Sequence, residues 1–483
     1  MSRLVIIGDC PASHRLVQRL LEQGYPGSIT VLDAREHAPH NPVLLPAVLS
    51  AGLEPELAAL PTHPEPVRVH RGTRVTGIDR QRRVVRTEHG RVHGYDTLVL
   101  ATGTSPVAPD LPGIGDTTGS ATRGIRWLRD PFECHRLHRE LASDAVVTVL
   151  GGGPSGVETA HALALGGYEV SLVHRGQHLM RSRVDRAAAD IVASTLRDNG
   201  VNVFTGETVA ELLPGKLVLA SGQAISTDAL VPRTGTRPDT TLANEAGLRI
   251  SRGIVVDAEL RSSDPRVHAL GSCAEPSGGD ANSLDGHWEQ AENLAGILLT
   301  GRAGSHRGGG ELLRARGAGL ELACIGDPEL LTGESRRVEH VTINDPKRRR
   351  YARLALREDR VLAATLVGLP EAIAKLSQLY ETGMPVPPDR LATLLGSPTR
   401  FEAAGHTTLD PVLCHCNNVS RSALTAAFHD GARDVPALAS ATRATTGCGS
   451  CVGAVRELCG ALAASSSGHV PTGTDSPTQE GAA

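Results

Sequence analysis

The stretch Gly151-Gly152-Gly153-Pro154-Ser155-Gly156 restricts this chain more than any other. It follows the apolar run Val146–Leu150 and precedes the helical pattern Val157–Leu165, with a second apolar run at Val170–Val173. G-x-G-x-x-G between a strand and a helix is the turn of a βαβ unit that cradles a dinucleotide pyrophosphate. Gly151 permits the tight turn, Gly153 lets the backbone approach the phosphates, and Gly156 lets helix and strand pack closely. The helix N-terminus adds unpaired N–H groups and positive dipole. An acid at the end of the second strand would hold the ribose hydroxyls of NADH. His174 and Arg175 stand there instead, and a cation suits a 2′-phosphate, so both NADH and NADPH stay open.

A related unit opens the chain. Leu4–Ile7 reads as a strand, Leu16, Val17, Leu20 and Leu21 follow at helical spacing, and Ile29–Leu32 is a strand ending at Asp33. Its turn reads Gly8-Asp9-Cys10-Pro11-Ala12-Ser13, so only the first glycine is kept. Cys10 puts a Cβ where backbone should meet phosphate, Pro11 removes an N–H donor, and Asp9 is expected to bring negative charge near the pyrophosphate. Ser13 is small enough to keep the helix packed, and Asp33 can hold ribose hydroxyls. Two readings stand for this turn: a weakened nucleotide site, or a scaffold without nucleotide.

The 483 residues suggest roughly three domains at about 150 residues each. A content of 40 % hydrophobic and 21 % charged residues excludes a chain disordered throughout. A net charge of -4 argues against nucleic-acid binding through bulk positive charge, and 2 % aromatics argue against base-stacking platforms. No apolar run approaches the roughly 18 residues of a membrane span, so no membrane partner is expected. The N-terminal apolar run is too short for a secretion signal, and a cytoplasmic location is expected.

The cysteines are uneven. Cys10, Cys134, Cys273 and Cys324 are scattered, whereas Cys414, Cys416, Cys448, Cys451 and Cys459 crowd the C-terminal region. Cys414-x-Cys416 and Cys448-x-x-Cys451 can give four thiolates to one site, which suits tetrahedral Zn²⁺ or a [2Fe–2S] cluster. Each pair precedes an expected helix, Ser420–Phe428 and Val452–Leu458, and helix N-termini favour the anionic cluster. Gly447 and Gly449 let backbone amides approach the sulfurs, while His415 and Cys459 are expected bystanders.

The expected organisation is a first domain from 1–113 and 241–303, a second from 114–240, a small α/β domain at 304–395, and a linker at 396–411. A helical cysteine module follows at 412–462, then a disordered tail at 463–483, rich in Ser, Gly, Thr and Pro. Within 304–395, Val338–Ile343 and Val361–Val367 read as strands and Ala372–Leu379 as helix.

The chain resembles the flavin and pyridine-nucleotide oxidoreductases that form the N-terminal half of the assimilatory nitrite reductase large subunit, and the electron-transfer subunit of assimilatory nitrate reductase. The resemblance covers about 1–462 and rests on Tyr95–Pro106 (YDTLVLATGTSP), 151–158, Gly235–Pro238 (GTRP), Gly253–Asp257 (GIVVD), Val267–Glu275 (VHALGSCAE) and His287–Ala291 (HWEQA). The cysteine module resembles bacterioferritin-associated ferredoxin. The resemblance implies an α/β fold class: two Rossmann-like dinucleotide-binding domains in the glutathione-reductase-like arrangement, a small α/β domain and a C-terminal helical [2Fe–2S] module. It implies FAD, NAD(P)H and a [2Fe–2S] cluster as cofactors. The implied FAD residues are Gly8, Ser13, Asp33, Ala101, Thr102, Gly103, Gly271 and Ser272. The implied NAD(P) residues are Gly151, Gly153, Gly156, Glu158, His174, Arg175 and Gly235, and the cluster ligands are Cys414, Cys416, Cys448 and Cys451.

In that family Ala101-Thr102-Gly103 packs near the flavin and joins the nucleotide domains. Three features depart from the pattern: the 8–13 turn, His40-Asn41-Pro42 in place of Tyr-Asn-Arg, and Gly271-Ser272 in place of Gly-Asp. They imply weakly held FAD. The C-x₄-C pair of disulfide reductases is missing from the first domain, and no sirohaem-binding region is expected. The implied function is electron transfer from NAD(P)H through FAD and the cluster to a protein acceptor, a nitrate or nitrite reductase component. Hydride transfer needs positioning more than acid–base groups, so no catalytic acid or base is nominated. The alternative is a flavin-free iron–sulfur relay or assembly subunit on a degenerate scaffold. A ferredoxin or rubredoxin reductase would share the chemistry and differ in partner.

Overall fold

The computed structural model describes residues 2–50, 53–111, 124–276, 284–301, 312–317, 320–333, 337–395, 410–414, 419–446 and 451–467. The chain divides into two compact units, Met1–Ala404 and Gly405–Ala483.

The larger unit is built on two parallel sheets. In the first, the strands run in the order Val267–Ala269, Thr97–Leu100, Arg3–Ile7, Ser28–Leu32, Arg68–His70. Leu4, Val5, Ile6 and Ile7 are all buried, as expected of a parallel strand covered on both faces. The Pro11–Glu22 helix crosses between the first two strands in sequence, burying Leu16, Val17 and Leu20. The Leu284–Thr300 helix packs against it, and Glu292 accepts from Arg15 at 2.8 Å and also from Arg19. The segments expected to form one domain from two stretches of chain therefore share a sheet and a helix pair.

The second sheet runs Val201–Thr205, Glu169–His174, Val146–Leu150, Ala229–Pro232, again parallel. The Pro154–Leu165 helix begins earlier than the hydrophobic pattern suggests, because Pro154 is favourable in a first helical turn. Each domain also carries a three-stranded antiparallel sheet that the sequence reading did not identify: Val75–Asp79, Val84–Thr87, Val92–Gly94, and Val209–Leu213, Lys216–Leu219, Ala224–Ser226.

The third part of this unit is a five-stranded antiparallel sheet, ordered Leu312–Gly317, Leu320–Gly326, Arg360–Val367, Arg350–Arg357, Glu339–Asp345. Glu358 and Asp359 both have positive φ, 50° and 58°, giving the tight turn that matches strand twist. The Pro370–Thr382 helix covers one face through Ala372, Ile373 and Leu376.

This sheet is clamped to the Arg186–Asp198 helix at both ends. Asp185, the helix N-cap, accepts from the Ala188 N–H at 3.0 Å, from Arg353 at 3.2 Å and from the Tyr351 hydroxyl. Arg349 pairs with Asp198 at the other end.

The smaller unit has a two-stranded ladder, Val412–Cys414 with Val419–Ser420, and helices Arg421–His429, Val435–Thr442 and Val452–Ser467. Asp410 accepts from the Ser422 N–H at 2.9 Å and Pro411 accepts from the Arg421 N–H at 2.8 Å, so the chain is already bonded to the module two residues before the expected start at 412. The last helix continues through 463–467, because Ala and Ser extend it without a breaker, so the expected tail does not begin at 463. Residues 396–409 and 468–483 lie outside the described residues.

The clamp predicts a pH-dependent stability term. Burial alone would raise the Asp185 carboxyl, but Ala188, Tyr351 and Arg353 outweigh it and hold it below the usual range. Its contribution is present above the ordinary aspartate value of about 3.9 and lost as pH falls through the lower folded value. Tyr351→Phe should cost about 1 kcal/mol at pH 7 in urea unfolding. The difference from the native chain should shrink as Asp185 protonates.

Candidate functional site

The two βαβ turns share one geometry. Gly8 has φ +100° and Gly151 has φ +122°, conformations open to glycine. A Cβ on Gly8 would lie 2.2 Å from the Ala101 carbonyl oxygen, and one on Gly151 2.3 Å from that of Arg233. The Gly8 N–H donates to Leu32 at 2.8 Å, the Gly151 N–H to Val173 at 2.9 Å. Each turn leads to a helix opened by proline, with Cys10 or Gly153 as N-cap.

At the second turn the residues fit a dinucleotide. A Cβ on Gly153 would meet nothing within 4 Å, so the space before the helix N-terminus is open. A Cβ on Gly156 would lie 1.7 Å from the Gly151 carbonyl, which explains the glycine there. Glu158 is half-buried on this helix and lies in the electrostatic reach of Arg233, which donates to Thr159 at 2.9 Å and to the Leu128 carbonyl at 3.0 Å. His174 and Arg175 close the second strand, His174 half-buried and Arg175 exposed.

At the first turn the frame fits and the lining is altered. Cys10 places its side chain at the position Gly153 leaves bare. The buried Ser13 hydroxyl accepts from the Cys10 N–H at 2.9 Å and donates to the Gly8 carbonyl at 2.8 Å, so the third glycine is replaced by a hydrogen bond. The expectation for Asp9 is corrected. Its carboxylate is fully buried, bonded to His63 at 3.0 Å and Arg71 at 3.3 Å, rather than directed at a pyrophosphate. Burial would raise the Asp9 carboxyl, but His63, His14 and Arg71 hold it below the usual range. Burial pushes His14 down to about 4, so this neighbour stays neutral near pH 7.

Asp33 is placed as expected, but it is already engaged. Its Oδ2 accepts from the Asp9 N–H at 3.2 Å and from Arg35 at 2.9 Å, and Oδ1 accepts from the Arg35 N–H at 3.1 Å. Ribose hydroxyls would have to displace the Arg35 side chain, which is 42 % exposed. Asn41 is a buried cap that accepts from the Val43 N–H at 3.2 Å.

Ala101, Thr102 and Gly103 lie where the chain leaves the first domain, and Gly235 lies where it returns. Thr102 donates to the Asp239 carbonyl at 2.6 Å, and Gly103 accepts the Asp239 N–H at 2.9 Å. Thr104–Pro106 pairs antiparallel with Thr236–Pro238, and Gly235 accepts the Val107 N–H at 3.0 Å. Gly235 is thus part of the crossover.

Gly271 donates its N–H to Gln290 at 2.7 Å, and the Ser272 hydroxyl lies 3.3 Å from His287 Nε2. His287 and Gln290, three apart on one helix face, were not singled out in the sequence, although HWEQA contains both. Burial lowers His287 to about 4, so serine faces a neutral imidazole where the family pattern has a carboxylate.

In the module, Cys414 and Cys451 are both buried. The Thr445 N–H donates to Cys451 Sγ at 3.3 Å, a contact that stabilises negative charge on a sulfur. Cys459 instead donates to the Arg433 carbonyl at 3.3 Å, and burial raises its thiol, consistent with a bystander. Cys416 and Cys448, with His415, Gly447 and Gly449, lie outside the described residues.

Residues 2–295 match the model for pyridine nucleotide-disulphide oxidoreductases, and residues 412–460 match that for BFD-like [2Fe–2S] binding domains. The chain belongs to the pyridine nucleotide-disulphide oxidoreductase family and carries a BFD-like domain. It is 25 % identical over 470 residues to nitrite reductase [NAD(P)H] of Bacillus subtilis, covering 94 % of this chain and 57 % of the relative. It is also 25 % identical over 472 residues to the assimilatory nitrate reductase electron transfer subunit of the same organism, covering 94 % and 59 %. The chain thus spans little more than half the length of these curated relatives. A putidaredoxin reductase solved in covalent complex with putidaredoxin superposes with a TM-score of 0.70 at 25 % identity, covering 81 % of this chain and 95 % of that one. FAD, NAD(P)H and a [2Fe–2S] cluster are the cofactors that these two domain types bring. No helix among the described residues is long and apolar enough to cross a membrane.

Substitutions at the two sites test the assignments. Gly153→Val should remove NAD(P)H binding in a calorimetric titration while leaving the melting profile nearly unchanged, because its side chain enters open space. Cys451→Ser or Cys414→Ser should eliminate bound iron and labile sulfide, whereas Cys459→Ser should leave the iron content near that of the native chain.

Proposed function

We propose that this chain takes electrons from NAD(P)H, passes them through FAD and a [2Fe–2S] cluster, and delivers them to a protein acceptor, a component of assimilatory nitrate or nitrite reduction. One observation carries the reading: the turn geometry of a dinucleotide cradle occurs twice within one compact unit. The names of the similar proteins support the choice of acceptor.

Gly153 and the N-terminus of the Pro154–Leu165 helix would hold the nicotinamide nucleotide's pyrophosphate. Gly8, Ser13, the Ala101–Gly103 turn, Gly271 and Ser272 would hold FAD, with Asp33 at its ribose once Arg35 swings aside. When bound, FAD accepts a hydride and releases electrons singly, which matches a two-electron donor to a one-electron cluster. His14 and His287, neutral near pH 7, add no positive charge beside the flavin cradle. The crossover bonds of Thr102 and Gly103 to Asp239 fix how the two dinucleotide domains meet. In the module, the Thr445 N–H would stabilise charge on the Cys451 sulfur. Cys414, Cys416, Cys448 and Cys451 are the proposed cluster ligands.

The Cys10 side chain and the Asp33–Arg35 pair favour weak flavin retention, and they are also what a flavin-free relay subunit would show. Losing a charge-assisted hydrogen bond costs on the order of 1.5–3 kcal/mol, roughly ten- to a hundredfold in affinity. FAD should therefore leave on dialysis, and anaerobic NAD(P)H should bleach the cluster absorbance when FAD is restored. Cys10→Gly with Ser272→Asp should raise flavin occupancy. If calorimetry with excess FAD shows no binding, the flavin-free reading replaces this one.

A further inference from the structure

We infer that the second dinucleotide cradle selects a nicotinamide nucleotide bearing a 2′-phosphate, so that NADPH rather than NADH is the hydride source. This rests on the proposed role of the 151–156 turn as the nicotinamide site.

Both cradles make the same hydrogen bond. The N–H of the residue after the first glycine donates to the side chain that ends the second strand. In the first cradle this is Asp9 N–H to Asp33 Oδ2, 3.2 Å. In the second it is Gly152 N–H to His174 Nδ1, 3.1 Å. A carboxylate that accepts one such bond keeps further lone pairs for a ribose diol. An imidazole does not: with Nδ1 accepting, the proton sits on Nε2, and no acceptor remains for ribose hydroxyls.

The ring is built in rather than incidental. A Cβ on Gly152 would lie 2.6 Å from the His174 ring, and one on Gly176 2.5 Å from its Nε2. Two glycines therefore leave the space the imidazole fills. Its Nε2 is buried and makes no hydrogen bond. Burial holds His174 below its ordinary pKa, and Arg175, His178 and Arg181 push the same way against the His178 backbone.

Along the chain from Val170 to Val184, between Glu169 and Asp185, the charge is positive, and Glu207 is the acid whose N–H donates to the His174 carbonyl, at 3.1 Å. From Val170 to Val184 the sequence holds three arginines, two histidines and no acid. Arg175 is exposed and joins no ion pair among the described residues, and Arg181 is also exposed. A phosphate monoester carries about −1.5 to −2 charge near pH 7 and only accepts hydrogen bonds. It would be repelled by the carboxylate that NADH uses and is matched by the guanidinium of Arg175.

The test is calorimetry on the full chain with NADP⁺ and NAD⁺, a readout independent of turnover. The native chain should bind NADP⁺ at least about tenfold tighter. Arg175→Ala should weaken NADP⁺ by roughly ten- to a hundredfold and leave NAD⁺ nearly unchanged. His174→Glu should shift the preference toward NAD⁺. Because His174 is seated between glycines, circular dichroism must show that variant folded; exposed Arg175 carries the test if it is not. NAD⁺ binding as tightly as NADP⁺, or equal losses in Arg175→Ala, would overturn the inference and leave the nicotinamide site standing. Binding of neither nucleotide would overturn the inference together with the assignment of the site.

Discussion

The structure of the larger unit depends on a close approach between a glycine Cα and a facing carbonyl, made twice. Gly8 meets Ala101 and Gly151 meets Arg233, each at a separation that no Cβ could share. The approach locks the first strand's end to its neighbour and aims the following helix N-terminus at the crevice. Pyrophosphate binding in such folds follows from that aim, since the first-turn N–H groups have no partner within the helix. Domain architecture and cofactor site are thus consequences of the same two missing methyl groups.

What was legible in the sequence was what is local. Val146–Leu150 agrees with the observed strand to the residue, and the 151–156 turn sits as its glycines demand. The cysteine spacing points to the matched [2Fe–2S] domain for the same reason. What was not legible depends on partners far along the chain. Nothing adjacent to Asp9 indicates that His63 and Arg71 draw its carboxylate inward. Arg35, by contrast, stands only two residues from Asp33, and there it is the side-chain conformation that the pattern of letters does not carry. The antiparallel strands at Val75–Gly94 are short and partly exposed, so their alternation is too brief to stand out. His287 and Gln290 were visible as letters, but their facing of Gly271 and Ser272 needed the helix to be docked.

The two cradles show how one backbone frame tolerates different chemistry. In the second, empty space before Gly153 and a bare N-terminus leave recognition to the ligand. In the first, Ser13, Arg35 and Cys10 supply contacts from the chain itself. Those contacts satisfy the turn's polar groups from within the chain. They also make any nucleotide compete with internal hydrogen bonds, so scaffold strength and cofactor affinity oppose each other at this turn.

The chain leaves the first dinucleotide domain through Thr104–Pro106 and returns through Thr236–Pro238, and the two passages are paired antiparallel. Thr102 and Gly103 bond Asp239, and Thr234 bonds Val107 at 2.7 Å, so the pairing is fastened at both ends. Two separate tethers would let the domains slide and tilt independently. A fastened two-strand ribbon behaves as a torsion bar: it resists shear along its hydrogen bonds and yields mainly to twist. Any change in the angle between the domains is thereby steered toward rotation about this ribbon.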